Sequence, residues 1–87
     1  MVHDFGEFKS GDYIHDTFYL GMTKGILKYE CKSYKLLMQF KTRSTVIKLL
    51  LYNDDTIVAG LESGRLLLLK AHDFSVMMQL DMREEFN

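Results

Sequence analysis

Residues 55–69, Asp55-Thr-Ile-Val-Ala-Gly60-Leu-Glu-Ser-Gly64-Arg-Leu-Leu-Leu-Leu69, decide the fold. Two short apolar runs, Thr56 to Ala59 and Leu66 to Leu69, flank a turn bracketed by Gly60 and Gly64. Each run is too short for a stable helix and closely bounded by glycine or Asn/Asp, so both read as strands. The Leu66 to Leu69 run does not alternate with polar residues, which predicts a strand covered on both faces. A near-copy stands earlier in the chain, Asp16-Thr-Phe-Tyr-Leu-Gly21-Met-Thr-Lys-Gly25-Ile-Leu-Lys-Tyr-Glu30.

The copy extends in both directions. A shift of 39 residues places Asp55 on Asp16, Thr56 on Thr17, Gly60 on Gly21 and Gly64 on Gly25. The same shift places Lys48 on Lys9 and Tyr52 on Tyr13. Downstream the shift becomes 40, with Met78 on Met38 and Gln79 on Gln39, which predicts one inserted residue after the second glycine pair. A period of this size points to a stacked or radial array of supersecondary units.

Taken in order, Glu7 to Tyr13 is a poor first strand, interrupted by Gly11, and is the expected counterpart of Val46 to Tyr52. Phe5, Phe8, Tyr13 and Ile14 are its candidate buried residues. Strands follow over 17–20, 26–31 and 34–41, then over 45–52, 56–59, 65–70 and 75–80. Gly21 to Gly25 and Gly60 to Gly64 are hairpin turns, where glycine supplies positive φ. Residues 1–43 form the first unit, 44–82 the second and 83–87 a polar tail.

Composition bounds the function. The chain has 87 residues, 47% of them apolar, which excludes a disordered class. Its one cysteine, Cys31, leaves no internal disulfide framework and points to a reducing, cytoplasmic setting. No signal peptide or membrane span is legible. Charge is uneven: residues 24–48 carry eight charges of which only Glu30 is acidic, while seven acids face three bases over 49–87.

No catalytic, cofactor or metal constellation emerges. His3, His15 and His72 lack paired-ligand spacing. His72-Asp73 has no nucleophile elbow to serve, and neither glycine pair has phosphate-loop spacing. Cys31 reads as packed at a strand end. The basic band of Lys24, Lys28, Lys32, Lys35, Lys41, Arg43 and Lys48, interleaved with Tyr29 and Tyr34, is the feature that suits nucleic acid. Strand alternation scatters it over faces and loops, however, and edge lysines ordinarily guard against aggregation.

Four short strands per unit, with Gly60-Leu-Glu-Ser-Gly64-Arg-Leu-Leu-Leu-Leu-Lys70 at the centre, resemble a blade of a WD-repeat-like β-propeller. Ser63 and Lys24 replace the usual turn aspartate, Leu69 and Glu30 the tryptophan, and Lys70 and Cys31 the terminal aspartate. No Gly-His pair precedes either unit, so the side-chain network of well-formed members is missing. The resemblance implies an all-β fold of two four-stranded antiparallel blades packed face to face. It also implies a non-catalytic scaffold whose partners dock on the rims or the channel mouth. Lys24, Lys41, Arg43, Glu62 and Arg65 are then the candidate binding residues. The expected partners are proteins, further blades or further copies of the chain, with no membrane. Two alternatives are a two-blade lectin that forms a ring and stacks sugar on its tyrosines, and a nucleic-acid binder using the 24–48 band.

Overall fold

A computed structural model describes residues 4–82 of the chain. Within them lie eight strands: β1 (Phe8–Ile14), β2 (Thr17–Met22), β3 (Gly25–Glu30), β4 (Leu36–Lys41), β5 (Val46–Asn53), β6 (Thr56–Leu61), β7 (Arg65–Lys70) and β8 (Val76–Asp81). They form two antiparallel four-stranded sheets, each in sequence order, β1-β2-β3-β4 and β5-β6-β7-β8. The tail expected at 83–87 and His3 lie outside the described residues.

The two sheets pack face to face, and the core is the seam between them. Blade 2 contributes the buried Val46, Leu49, Ile57, Ala59, Leu61, Leu67, Leu69, Ala71 and Phe74. Blade 1 contributes Tyr19 and Ile26, with Met38 and Phe40 partly buried against them. Ile57, Leu69 and Val46 are withdrawn completely from solvent. Burying a side chain of this size stabilises by about 1.5–3 kcal/mol relative to exposure.

Pairing across the strands corrects the register read from sequence. Gly21 faces Ile26, and Gly60 faces Leu66. Gly25 faces Lys41, and Arg65 faces Asp81. Gly25 is therefore the counterpart of Arg65, not of Gly64, and the extra residue sits inside the 62–64 turn rather than after it. The first strand is displaced as well. Ser10 faces Gly21 and Lys48 faces Gly60, so Lys9 corresponds to Ile47 and Tyr13 to Leu51. Both Lys9 and Ile47 lie where a β-bulge interrupts the ladder. That bulge is common to both blades and displaces nothing between them. A second bulge in β5, between Leu51 and Asn53, is lacking in β1, and its extra residue, Tyr52, moves the upstream identities by one position. The outer strands share a further irregularity, between Lys28 and Tyr29 in one blade and between Leu68 and Leu69 in the other.

Three other expectations change. Gly21 and Gly60 lie within β2 and β6, so the turns are shorter than the glycine brackets suggested. Phe5 is buried as expected and Ile14 half-buried, but Phe8 and Tyr13 are exposed. Leu67 and Leu69 are buried while Leu66 and Leu68 are half-exposed, so β7 is covered on one face only.

Candidate functional site: open blade faces and a basic cleft

The polar links across the seam fix how the blades meet. The Ser10 hydroxyl accepts from the Leu49 N–H at 3.0 Å and donates to the Leu49 carbonyl at 3.3 Å. The Leu51 N–H donates to the Asp12 carboxylate at 3.0 Å. His15 Nε2 stands 3.2 Å from Asp54 Oδ2, joining the β1–β2 turn to the β5–β6 turn. Lys28 Nζ donates to the Ala71 carbonyl at 2.8 Å and lies 5.4 Å from the centre of the Tyr19 ring. Burial pulls the Lys28 ammonium below the ordinary lysine range, with the Asp73 charge acting in the opposite sense. Burial likewise raises the Tyr19 phenol.

The β7–β8 loop supplies an aromatic contact across the seam. Phe74 has φ 61° and directs its ring back into blade 1, 6.4 Å from Tyr19 and 6.3 Å from Phe40 between ring centres, both edge-on. Tyr34 holds the equivalent place in the β3–β4 loop with φ 57°. Each of these N–H groups donates to the carbonyl four residues back, Phe74 to Lys70 and Tyr34 to Glu30. Neither aromatic was picked out from sequence as a seam residue. Their common spacing after Ala71-His-Asp and Cys31-Lys-Ser was the available signal.

A cleft of about 530 Å³ opens beside the seam where β4 runs through the 42–44 linker into blade 2. Phe40, Leu61, Leu67 and Val76 make its apolar walls. Lys41, Arg43 and Arg65 line it, and no described acidic residue does. Arg65 donates to the Gln79 side-chain carbonyl at 3.1 Å. The linker is braced by Thr42 donating to the Ser44 carbonyl at 2.6 Å and by the Ser63 N–H donating to the Ser44 hydroxyl at 2.9 Å. The structure thus brings together three of the five residues singled out from sequence. Lys24 and Glu62 are exposed on the two outer turns, outside the cleft, with Lys24 paired to Asp4 at 3.2 Å.

The rest of the basic band disperses. Lys28 turns into the seam, while Lys32, Lys35 and Lys48 are exposed elsewhere. Cys31 is a half-buried free thiol. Among the described residues, no three His, Cys, Asp or Glu side chains gather as metal ligands, and no helix is long and apolar enough to cross a membrane. Of the tyrosines, Tyr19 is buried in the core, whereas Tyr13, Tyr34 and Tyr52 are exposed.

Each blade has a second face that the chain itself leaves open. On blade 2 it carries Leu50, Val58, Leu66, Leu68, Met78 and Leu80, all exposed or half-exposed. On blade 1 it includes the exposed Phe8 and Phe18.

Neither a family model nor a curated protein matches the chain. Solved structures do. The crystal structure of the computationally designed Ika4 protein, a designed propeller, superposes with a TM-score of 0.81 at 14% identity, over 93% of this chain and 51% of that one. BamB from Moraxella catarrhalis, a β-propeller, superposes with a TM-score of 0.70 at 13% identity, over 87% of this chain and 23% of that one. The fold is therefore that of two adjacent β-propeller blades. The chain spans about half the length of the designed protein and a quarter of BamB.

Proposed function

We propose that the chain is a non-catalytic protein–protein interaction module, either a piece of a β-propeller or a subunit that completes one by association. Its blades are degenerate relatives of WD-repeat blades, and it acts as a cytoplasmic scaffold. The observation that carries this reading is the pair of open apolar faces. Contiguous apolar patches on a folded domain mark sites of association. The second side of β7 has the apolar composition of a strand flanked on both faces. The lone Cys31 supports a reducing compartment.

Hydroxyl-radical footprinting over a wide range of chain concentration tests the reading. Labelling of Met78, Leu80, Phe8 and Tyr34 is expected to fall as association covers them. A monomer whose four side chains label equally at every concentration would overturn completion by association of copies and leave the piece of a larger propeller.

The cleft favours a second reading, in which Lys41, Arg43 and Arg65 hold a nucleic-acid phosphate backbone. Such binding weakens steeply with salt because phosphate contacts release counterions. Titration with a single-stranded oligonucleotide at increasing salt decides it, and absent or salt-independent binding removes it.

A further inference from the structure

The seam inside the chain is a template for another. Across it Val46, Leu49, Ile57 and Phe74 of blade 2 meet Tyr19, Gly21, Ile26 and Phe40 of blade 1. The strand pairings give each of these a counterpart one blade away. The first four correspond to Phe8, Gly11, Phe18 and Tyr34, on the open face of blade 1 or at its edge. The second four correspond to Val58, Gly60, Leu66 and Leu80, on the open face of blade 2. All eight are apolar, aromatic or glycine, so the two open faces of one chain match each other. Resting on the interaction-module reading above, we infer that the occupant of both faces is a second copy of this chain, docked head to tail at both ends, so that two chains close a four-bladed ring.

Four observations favour a second copy. Gly21 has a neighbour that requires it: a Cβ there would lie 2.7 Å from Val46 Cγ1. Gly60 is also glycine, yet a Cβ there would meet only Lys48, no closer than 3.9 Å. The side chain that glycine at position 60 accommodates is supplied by Phe8 of the other copy, the counterpart of Val46. Likewise Tyr34 is held in the same backbone conformation as Phe74 but has no blade to enter. In the ring it seats against Val58 and Leu80 of the other copy.

Charge agrees as well. His15 and Asp54 occupy the same turn in successive blades and stand 3.2 Å apart. A two-chain ring repeats that His–Asp contact at the second seam. The blade number also fits, because closed propellers typically have about four to eight blades and two chains of two blades reach the smallest of these. A head-to-tail contact that closes after two copies is a ring with a two-fold axis.

The test combines mass and cross-linking. In a Cys31→Ser background, Phe8→Cys and Gly60→Cys are introduced together and the chain is oxidised in dilute solution. The expected product has the mass of two chains, with a disulfide between positions 8 and 60 at both seams, and the parent sediments as a dimer. Should that pair perturb folding, Tyr34→Ala serves alone. It leaves the circular dichroism of the chain unchanged and weakens dimerisation by about tenfold or more, as loss of an interface aromatic does. Association without the 8–60 disulfide and insensitive to Tyr34→Ala overturns this inference and leaves the interaction reading standing, as does a closed assembly of a different mass. A monomer labelled equally at all concentrations overturns this inference together with completion by self-association.

Discussion

Phe74 and Tyr34 stand at the same point of the same loop in successive blades, both with left-handed φ, and differ completely in environment. Phe74 is 4% exposed and Tyr34 78%. The backbone conformation thus belongs to the loop, and burial is decided by whether a preceding blade is present. Phe74→Ala is expected to destabilise the chain by about 3 kcal/mol or more, as truncating a buried phenylalanine does. Tyr34→Ala at low concentration is expected to stay within about 0.5 kcal/mol of the parent. Urea denaturation of the two variants side by side checks this.

The outer turns offer a second contrast. Gly64 has φ 96°, where a β-branched side chain is strained, so Gly64→Val is expected to cost about 1–3 kcal/mol. Gly25→Val fails for a different reason, since its Cβ would run into the Phe40 carbonyl oxygen and the Phe5 ring. Lys24→Ala and Glu62→Ala remove exposed side chains and are expected to change stability by no more than about 0.5 kcal/mol. Thermal midpoints of the four variants rank them. Charge variants that melt well below the glycine variants would contradict the hairpin assignment.

Acid sensitivity should trace in part to Asp73. Its carboxylate accepts from the Ser75 hydroxyl at 2.7 Å and from the Ser75 N–H at 2.9 Å, and these bonds hold it below the ordinary aspartate range. A carboxyl whose folded pKa is depressed contributes stability above its unfolded value, here 3.8, and loses it as pH falls through the lower folded value. Asp73→Asn is therefore expected to melt below the parent at neutral pH. The gap should close as the pH drops below about 4. A gap that widens in acid would reverse the assignment.

In the cleft, each of Lys41→Gln, Arg43→Gln and Arg65→Gln is expected to weaken oligonucleotide binding and to reduce the steepness of its salt dependence by somewhat under one unit, as loss of one phosphate contact does. Lys32→Gln and Lys35→Gln, outside the cleft, should have the smaller effect. Fluorescence anisotropy at several salt concentrations measures both quantities. Equal losses at all five positions would show diffuse charge rather than a site.

Much of the architecture was legible because strands announce themselves locally. The run from Asp55 to Leu69 names two strands and a turn, and its near-copy at Asp16 to Glu30 names the repeat. Register was less legible because a bulge leaves no residue signature. The coincidences of Lys48 with Lys9 and of Tyr52 with Tyr13 arise only if the extra residue at Tyr52 in β5 is ignored. The left-handed aromatics were hidden because Phe and Tyr are not residues from which positive φ is expected. For the cleft, Lys41, Arg43 and Arg65 could be chosen as cations on turns and rims. That they share one hollow depends on how the linker folds back across the seam, which no local pattern encodes.

Phe5 has a wider meaning than its place in the core suggests. It precedes the β-bulge of β1 by as many residues as Arg43 precedes that of β5, and its ring rests on Gly25, the counterpart of Arg65. One position of the repeat is therefore a hydrophobic plug at the start of the chain and a charged wall in its middle. The two halves of the repeat are not interchangeable as hosts. In any assembly that alternates them, basic clefts would occur at every second seam, and an anionic ligand held there would bind one per chain rather than one per blade.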